Sequence, residues 1–168
     1  MAVDKGWSLV ESGGAESVST EESKALVRRY VEEFVDRGNF GLSEEIFAPN
    51  FVRYDAGPDQ VSRVEDLKHF FAMLHSGFPG FQSTIEDLLS EGDKVALRFT
   101  FHGTHQGEFM GIAPTEKQVT MSGIDILRIA DSKIVEMWNQ EDVLGMMRQL
   151  GAIPEPDQSE EASPHLTR

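Results

Sequence analysis

The sequence predicts an α+β fold, a strongly curved antiparallel sheet wrapped on helices. Three observations carry that prediction. Apolar residues follow a helical period through the first half, at Leu26, Val27, Tyr30, Val31, Phe34 and Val35 and again at Leu67, Phe70, Phe71 and Leu74. From Phe81 onward the period falls to two, most cleanly where Val95, Leu97, Phe99 and Phe101 alternate with Ala96, Arg98, Thr100 and His102. The two patterns are segregated rather than interleaved, which argues against a βαβ parallel sheet.

Taken in order, residues 1–18 are rich in Gly, Ser and Glu without a sustained period, and are expected to be disordered. Ser19 and Glu22 have the spacing of a capping box, opening a first helix of about five turns that Gly38 ends. Leu42–Phe47 reads as a short second helix stopped before Pro49, and Phe51–Tyr54 as a short strand broken by Gly57–Pro58. Ser62 and Glu65 repeat the capping-box spacing ahead of a third helix, which Gly77 and Pro79 close. Phe81–Leu89 is a strand, Glu91–Gly92–Asp93 a turn, and Thr104–Thr115 a loop. Met121–Gln140 is a hairpin, and Asp142 caps a last helix that Gly151 ends. The domain thus spans 19–153, and 154–168 is an acidic, proline-containing tail expected to be disordered.

The 168 residues suit one domain with tails, and 39% apolar residues, including eleven Phe, suit one bulky core. No apolar run is long enough to span a bilayer, so no membrane partner is expected. The absence of cysteine excludes disulfides and thiolate chemistry and suits a cytoplasmic protein. A formal charge of −14 argues against a nucleic-acid partner, since phosphate backbones need a basic face.

The hairpin carries the most informative residues. Each strand holds one polar residue that a structural hairpin would not need, Asp125 and Asn139. With a three-residue loop, Ala130 pairs with Ile134 and Asp125 lies opposite Asn139 on one face. With a two-residue loop the register slips and the pair splits across the sheet. Met121, Leu127, Val135 and Met137 accompany Asp125 on its face, whereas Ile124, Ile126, Ile134 and Trp138 fall on the other. That second face is either a homodimer contact or is covered by the last helix.

The loop Gly103–Thr115, GTHQGEFMGIAPT, resembles the G-T-H-x-G-x-F-x-G-x-x-P-T loop of the SnoaL-like polyketide cyclase and ester cyclase family. The likeness continues through ILRIADSKIVEMWNQEDVLGMMRQLG and reaches from Ala25 to Pro154. It implies the cone-shaped nuclear transport factor 2-like, or cystatin-like, barrel with a deep apolar pocket, often as a homodimer. It also implies a cyclase closing a ring by intramolecular aldol condensation, without metal or cofactor. Some relatives act instead as hydroxylases or accessory proteins. The resemblance puts an aspartate general acid/base where this chain has Asn139 and a histidine partner where it has Asp125. The chain departs at both, and an amide takes up no proton at neutral pH.

The candidate catalytic residues are therefore Asp125, Asn139 and His105. Asp125, flanked by isoleucines, is either a buried carboxylate poised as a base or a residue turned to solvent or paired with Arg98 or Arg128. Asn139 either donates its amide N–H to a substrate oxyanion or satisfies strand-end backbone groups. His105 is either a proton-transfer group or a loop anchor. No third ligand accompanies the His105/Glu108 spacing, so no metal site is expected. Arg53, Phe109, Met121, Met137 and Asp142 are the candidate binding residues for an apolar, carbonyl-containing small molecule. Asp142 doubles as a helix cap, and Arg53 as a solvated surface cation. A non-catalytic small-molecule binder is the alternative to an enzyme.

Overall fold

A computed structural model describes residues 19–54 and 61–154. The expected N-terminal and C-terminal disordered segments and the Gly57–Pro58 break fall outside these residues, apart from Pro154.

Six strands form a single sheet in the order β2-β1-β6-β5-β4-β3. They are β1 (Phe47–Tyr54), β2 (Val61–Ser62), β3 (Gln82–Glu91), β4 (Lys94–Thr104), β5 (Gln118–Ala130) and β6 (Lys133–Glu141). Helices α1 (Thr20–Arg29), α2 (Ser43–Ile46), α3 (Val64–Gly77) and α4 (Val143–Leu150) accompany it. The α+β class is as the segregated periods predict. One join differs from an all-antiparallel sheet: β1 runs parallel to β6. A parallel neighbour needs a long connection, and here the chain from β1 to β6 passes through α3 and four strands.

Local chemistry explains the elements. The Ser19 side chain accepts from Glu22 N–H at 3.3 Å, and the Glu22 carboxylate accepts from Ser19 N–H at 3.0 Å, completing the expected box. After Arg29 the helix widens into a π-helix, Tyr30–Asp36. Its i→i+5 bonding puts Tyr30 and Val35 on one face. The cap of α3 lies one residue later than the spacing suggests: Arg63 N–H donates to Asp66 Oδ2 at 2.8 Å, so Asp66, not Glu65, closes the turn. Helix α3 buries Leu67, Phe71 and Leu74.

Phe34, Phe47, Phe51, Phe78 and Phe109 are fully buried and make up the aromatic centre of the core. Phe34 meets Phe47 edge-on at 5.1 Å, and Phe78 meets Phe109 the same way at 5.2 Å. Such contacts add about 0.5–1.5 kcal/mol each beyond burial. The Asp36 carboxylate accepts from Ser83 N–H at 3.1 Å, which fastens the end of the π-helix to β3.

The β5–β6 hairpin answers the register question in an unforeseen way. Its turn holds two residues, Asp131 and Ser132, both with positive φ. Ala130 therefore pairs with Lys133 and Ile129 with Ile134. A bulge at Val135 then inserts one extra residue, so Arg128 pairs with Glu136 and Asp125 with Asn139. The short turn and the shared face hold together. The bulge also corrects the facing of Ile134, which pairs beside Ile129 and is fully buried in the core, not on the outer face. A second bulge, at Glu86 in β3, adds to the curvature.

The outer face keeps its apolar character. Leu89, Ile124, Ile126 and Trp138 are exposed, and Trp138 stacks on Tyr54 at 5.4 Å.

Candidate functional site

The concave side of the sheet encloses a chamber between β4, β5, β6, α3 and the π-helix. Its walls are apolar: Val31, Phe71, Leu97, Phe101 and Met137 among others. Its polar groups are few, namely Tyr30, Arg53, Ser83, Asp125, Asn139 and Glu141. The chamber has about 40 Å³ of open volume, room for a few waters or one small functional group. A wider vestibule of about 430 Å³ adjoins it, walled by Phe109, Met110, Val143 and Met146. That volume lies within the range of small-molecule sites. Arg53, Phe70, Leu74, Met121, Asn139 and Glu141 line both spaces and so form the ring between them.

Asp125 is the central group. It is 3% exposed and lies on the chamber wall. Neither Arg98 nor Arg128 reaches it: Arg98 donates to Asp87 at 2.7 Å, and Arg128 pairs with Glu136 on the outer face. Burial raises the Asp125 pKa to about 7, with the Glu141 charge adding to the rise, while the Asn139 hydrogen bond and Arg53 oppose it. A carboxylate tuned near neutrality can both take and return a proton.

Asn139 is fully committed. Its Nδ2 donates to Asp125 Oδ1 at 2.6 Å and to Glu141 Oε1 at 3.1 Å. Its Oδ1 accepts from Arg53 Nη2 at 3.0 Å. The amide therefore orients two carboxylates and one guanidinium, and no N–H is left over for an oxyanion. Arg53 also lies over the Phe70 ring at 5.7 Å, an arrangement favourable to the cation.

The remaining candidates separate. Met121 and Met137 line the chamber, and Phe109 lines the vestibule. His105 is fully buried and lines neither space. Its Nδ1 accepts from Thr115 N–H at 3.2 Å, its backbone bridges Glu116 and Lys117, and its ring packs 5.1 Å from Phe78. Those contacts make it the anchor of the 105–117 loop. Asp142 is exposed and accepts from Gly145 N–H at 2.8 Å as the cap of α4; it lines neither space. Among the described residues no three His, Asp or Glu side chains converge as metal ligands, and no helix is long and apolar enough to cross a membrane.

Sequence reasoning missed Tyr30, Phe70 and Glu141. Glu141 was within reach, since it lies two residues beyond Asn139 on the same face of β6. Tyr30 carried a fainter signal, the one polar tip on the apolar face of its helix.

The architecture is that of a nuclear transport factor 2-like domain, a curved sheet folded over helices around an inward-facing cavity. Residues 25–150 match the SnoaL-like polyketide cyclase model, and the chain belongs to that family. AclR from Streptomyces galilaeus, a proposed hydroxylase, superposes with a TM-score of 0.74 at 31% identity, covering 83% of this chain and 87% of AclR. A proposed polyketide cyclase from Bacillus cereus ATCC 10987 gives 0.69 at 32% identity, covering 81% of this chain and 87% of the other. Nogalonic acid methyl ester cyclase of Streptomyces nogalater is 33% identical over 66 residues, 39% of this chain and 48% of the cyclase. The matched stretch thus spans about half the length of that curated relative.

Proposed function

We propose that the protein is an enzyme catalysing cofactor-independent proton transfer, an aldol-type cyclisation or isomerisation, on an apolar small molecule bearing carbonyl groups. The observation that carries this reading is Asp125: a buried carboxylate, held by Asn139 and tuned to about 7, on the wall of an otherwise apolar chamber. In the proposed reaction Asp125 takes a proton from the carbon beside a carbonyl. The C–H electron pair becomes the C=C of an enolate, and the carbonyl π pair moves to oxygen. In a cyclisation the enolate carbon then bonds to a second carbonyl carbon of the same molecule. The oxygen released there takes the proton back from Asp125, so the carboxylate is regenerated and no other reactant is consumed. The small chamber admits one functional group while the body of the molecule lies in the vestibule, against Phe109, Met110 and Met121.

A bicyclic ketone probe, 2-tetralone in D2O, tests the reading by NMR. The native chain is expected to speed deuterium uptake beside the carbonyl, and Asp125→Asn to slow it roughly 100-fold or more, as loss of a general base does, with little change in probe binding. Equal exchange rates for the two chains, or binding lost along with exchange, would overturn the role of Asp125. A hydroxylase-like or purely binding function is the second reading, favoured by the likeness to AclR. It predicts that the ketone binds and no exchange follows.

The reading extends to a cytoplasmic homodimer. The exposed row of Ile124, Ile126, Trp138 and Leu89 on the outer face supports pairing with a second copy. Trp138→Glu is expected to convert a dimer to a monomer in sedimentation analysis; a native chain that sediments as a monomer at micromolar concentration rules the pairing out.

A further inference from the structure

Enolate chemistry needs a donor for the developing oxyanion, and neither Asn139, the group expected to supply it, nor His105 is placed to do so. The Asn139 N–H groups are taken by Asp125 and Glu141, and His105 lies outside the chamber. We propose that the Tyr30 hydroxyl holds the substrate's carbonyl oxygen in the inner chamber, acting as the oxyanion donor opposite Asp125. This rests on the proton-transfer reading above and adds a catalytic residue to it.

Tyr30 is 3% exposed and lines the chamber. Its ring is fixed by Phe34 at 6.1 Å and by Phe47, edge-on, at 5.8 Å. Its hydroxyl makes no hydrogen bond to any described residue, yet it is not among the sealed, unpartnered polar atoms, so it borders open space. A buried tyrosine normally finds a partner for its O–H, and here the chamber's occupant is the partner on offer. The π-helix that begins at Tyr30 brings Val35 round to the same face, and both side chains line the chamber. Burial, and after it the Asp125 charge, raises the phenol's pKa well above its ordinary value, so the group stays a donor through the physiological range. The proton remains on Tyr30 throughout; only Asp125 exchanges one.

The test uses Asp125→Asn as the background, because a neutral carboxamide stands in for the base after it has taken the proton. Two probes are titrated calorimetrically: 4-nitrophenol, whose phenolate oxygen imitates the enolate, and nitrobenzene, which has the same body without that oxygen. Adding Tyr30→Phe is expected to weaken 4-nitrophenol by about 10- to 100-fold, as loss of a hydrogen bond to a charged acceptor does, and to change nitrobenzene less than about twofold. Phenylalanine keeps the ring between Phe34 and Phe47, and thermal melts of each chain confirm that the fold persists. Unchanged 4-nitrophenol affinity, or equal weakening of both probes, overturns the donor role while leaving the small-molecule site intact. Failure of both probes to bind any folded chain overturns the site itself, and Tyr30 with it.

Discussion

Asp125→Asn is expected to raise the thermal stability of the protein at pH 8 while removing the base from the site. The carboxylate's pKa is 3.8 in ordinary surroundings and about 7 in the folded chain. Between those values the folded state holds a proton that the unfolded state has released, so stability falls as pH rises from about 4 to about 7 and then levels off. The gap of roughly three pH units corresponds to about 4 kcal/mol as a ceiling, at 1.36 kcal/mol per unit. For a chain of this length that is a midpoint shift of roughly 10 °C. Asparagine has no charge to bury, and its side-chain oxygen can still accept from Asn139 Nδ2. The variant's stability should therefore lack this downward slope, with the two chains close at pH 4 to 5 and well apart at pH 8. Melting curves at both pH values decide the matter. Coincident midpoints at pH 8 would mean that no desolvated carboxylate is being held there. A group kept in place against such a cost is better explained by a use for its proton than by packing.

The same residue shows how far a sequence can be read. A period of two, together with one polar residue in each strand, was enough to single out Asp125 and Asn139. Whether they met depended on two local features of opposite effect, a two-residue turn and the Val135 bulge. Positive φ at Asp131 and Ser132 agrees with the turn. Nothing in the composition of β6 marks Val135 as the extra residue, because Val is equally at home paired or bulged. Isoleucine 134 was misplaced for the same reason. The first helix was legible as a helix, with Tyr30 on its apolar face, but not its π-helical second half, since Tyr30, Val31, Phe34 and Val35 fit a 3.6-residue period as well. Roles were harder to read than faces. Asn139 was identified as polar and inward, but its spent hydrogen bonds depend on Glu141 and on Arg53 of β1, 86 residues away in the chain. His105 and Asp142 were both visible as residues with a structural alternative, and their contacts in the fold are those of a loop anchor and a helix cap.

Gly107→Ala is expected to be the most disruptive of the small substitutions, because of where the 105–117 loop meets α3. The Gln106 and Gly107 N–H groups both donate to the Gly77 carbonyl, at 2.9 and 3.0 Å. A Cβ on Gly107 would overlap the Ser76 carbonyl oxygen, a backbone atom with no freedom to step aside. The contact is close from both sides, since a Cβ on Gly77 would meet Phe109 Cβ at 2.8 Å. The G-x-F portion of the family motif thus has a physical reading: glycine lets the loop touch the helix end, and Phe109 then fills the space beside it. Alanine at 107 must push the loop away, losing two backbone hydrogen bonds of about 1 kcal/mol each and part of a phenylalanine burial of about 1.5–3 kcal/mol. A destabilisation of about 3–5 kcal/mol follows, with a midpoint lower by roughly 10 °C. Gly145→Ala is the contrasting case: the atoms nearest its Cβ belong to the Asp142 side chain, which can rotate at the expense of a cap worth about 0.5–2 kcal/mol. Thermal melts of the two variants should rank Gly107→Ala well below Gly145→Ala. Because Phe109 and Met110 wall the vestibule, Gly107→Ala should also weaken 2-tetralone binding at temperatures where the chain is still folded. A Gly107→Ala chain that melts like the native one would show that the loop does not depend on this contact, and the vestibule's outer wall would then need another support.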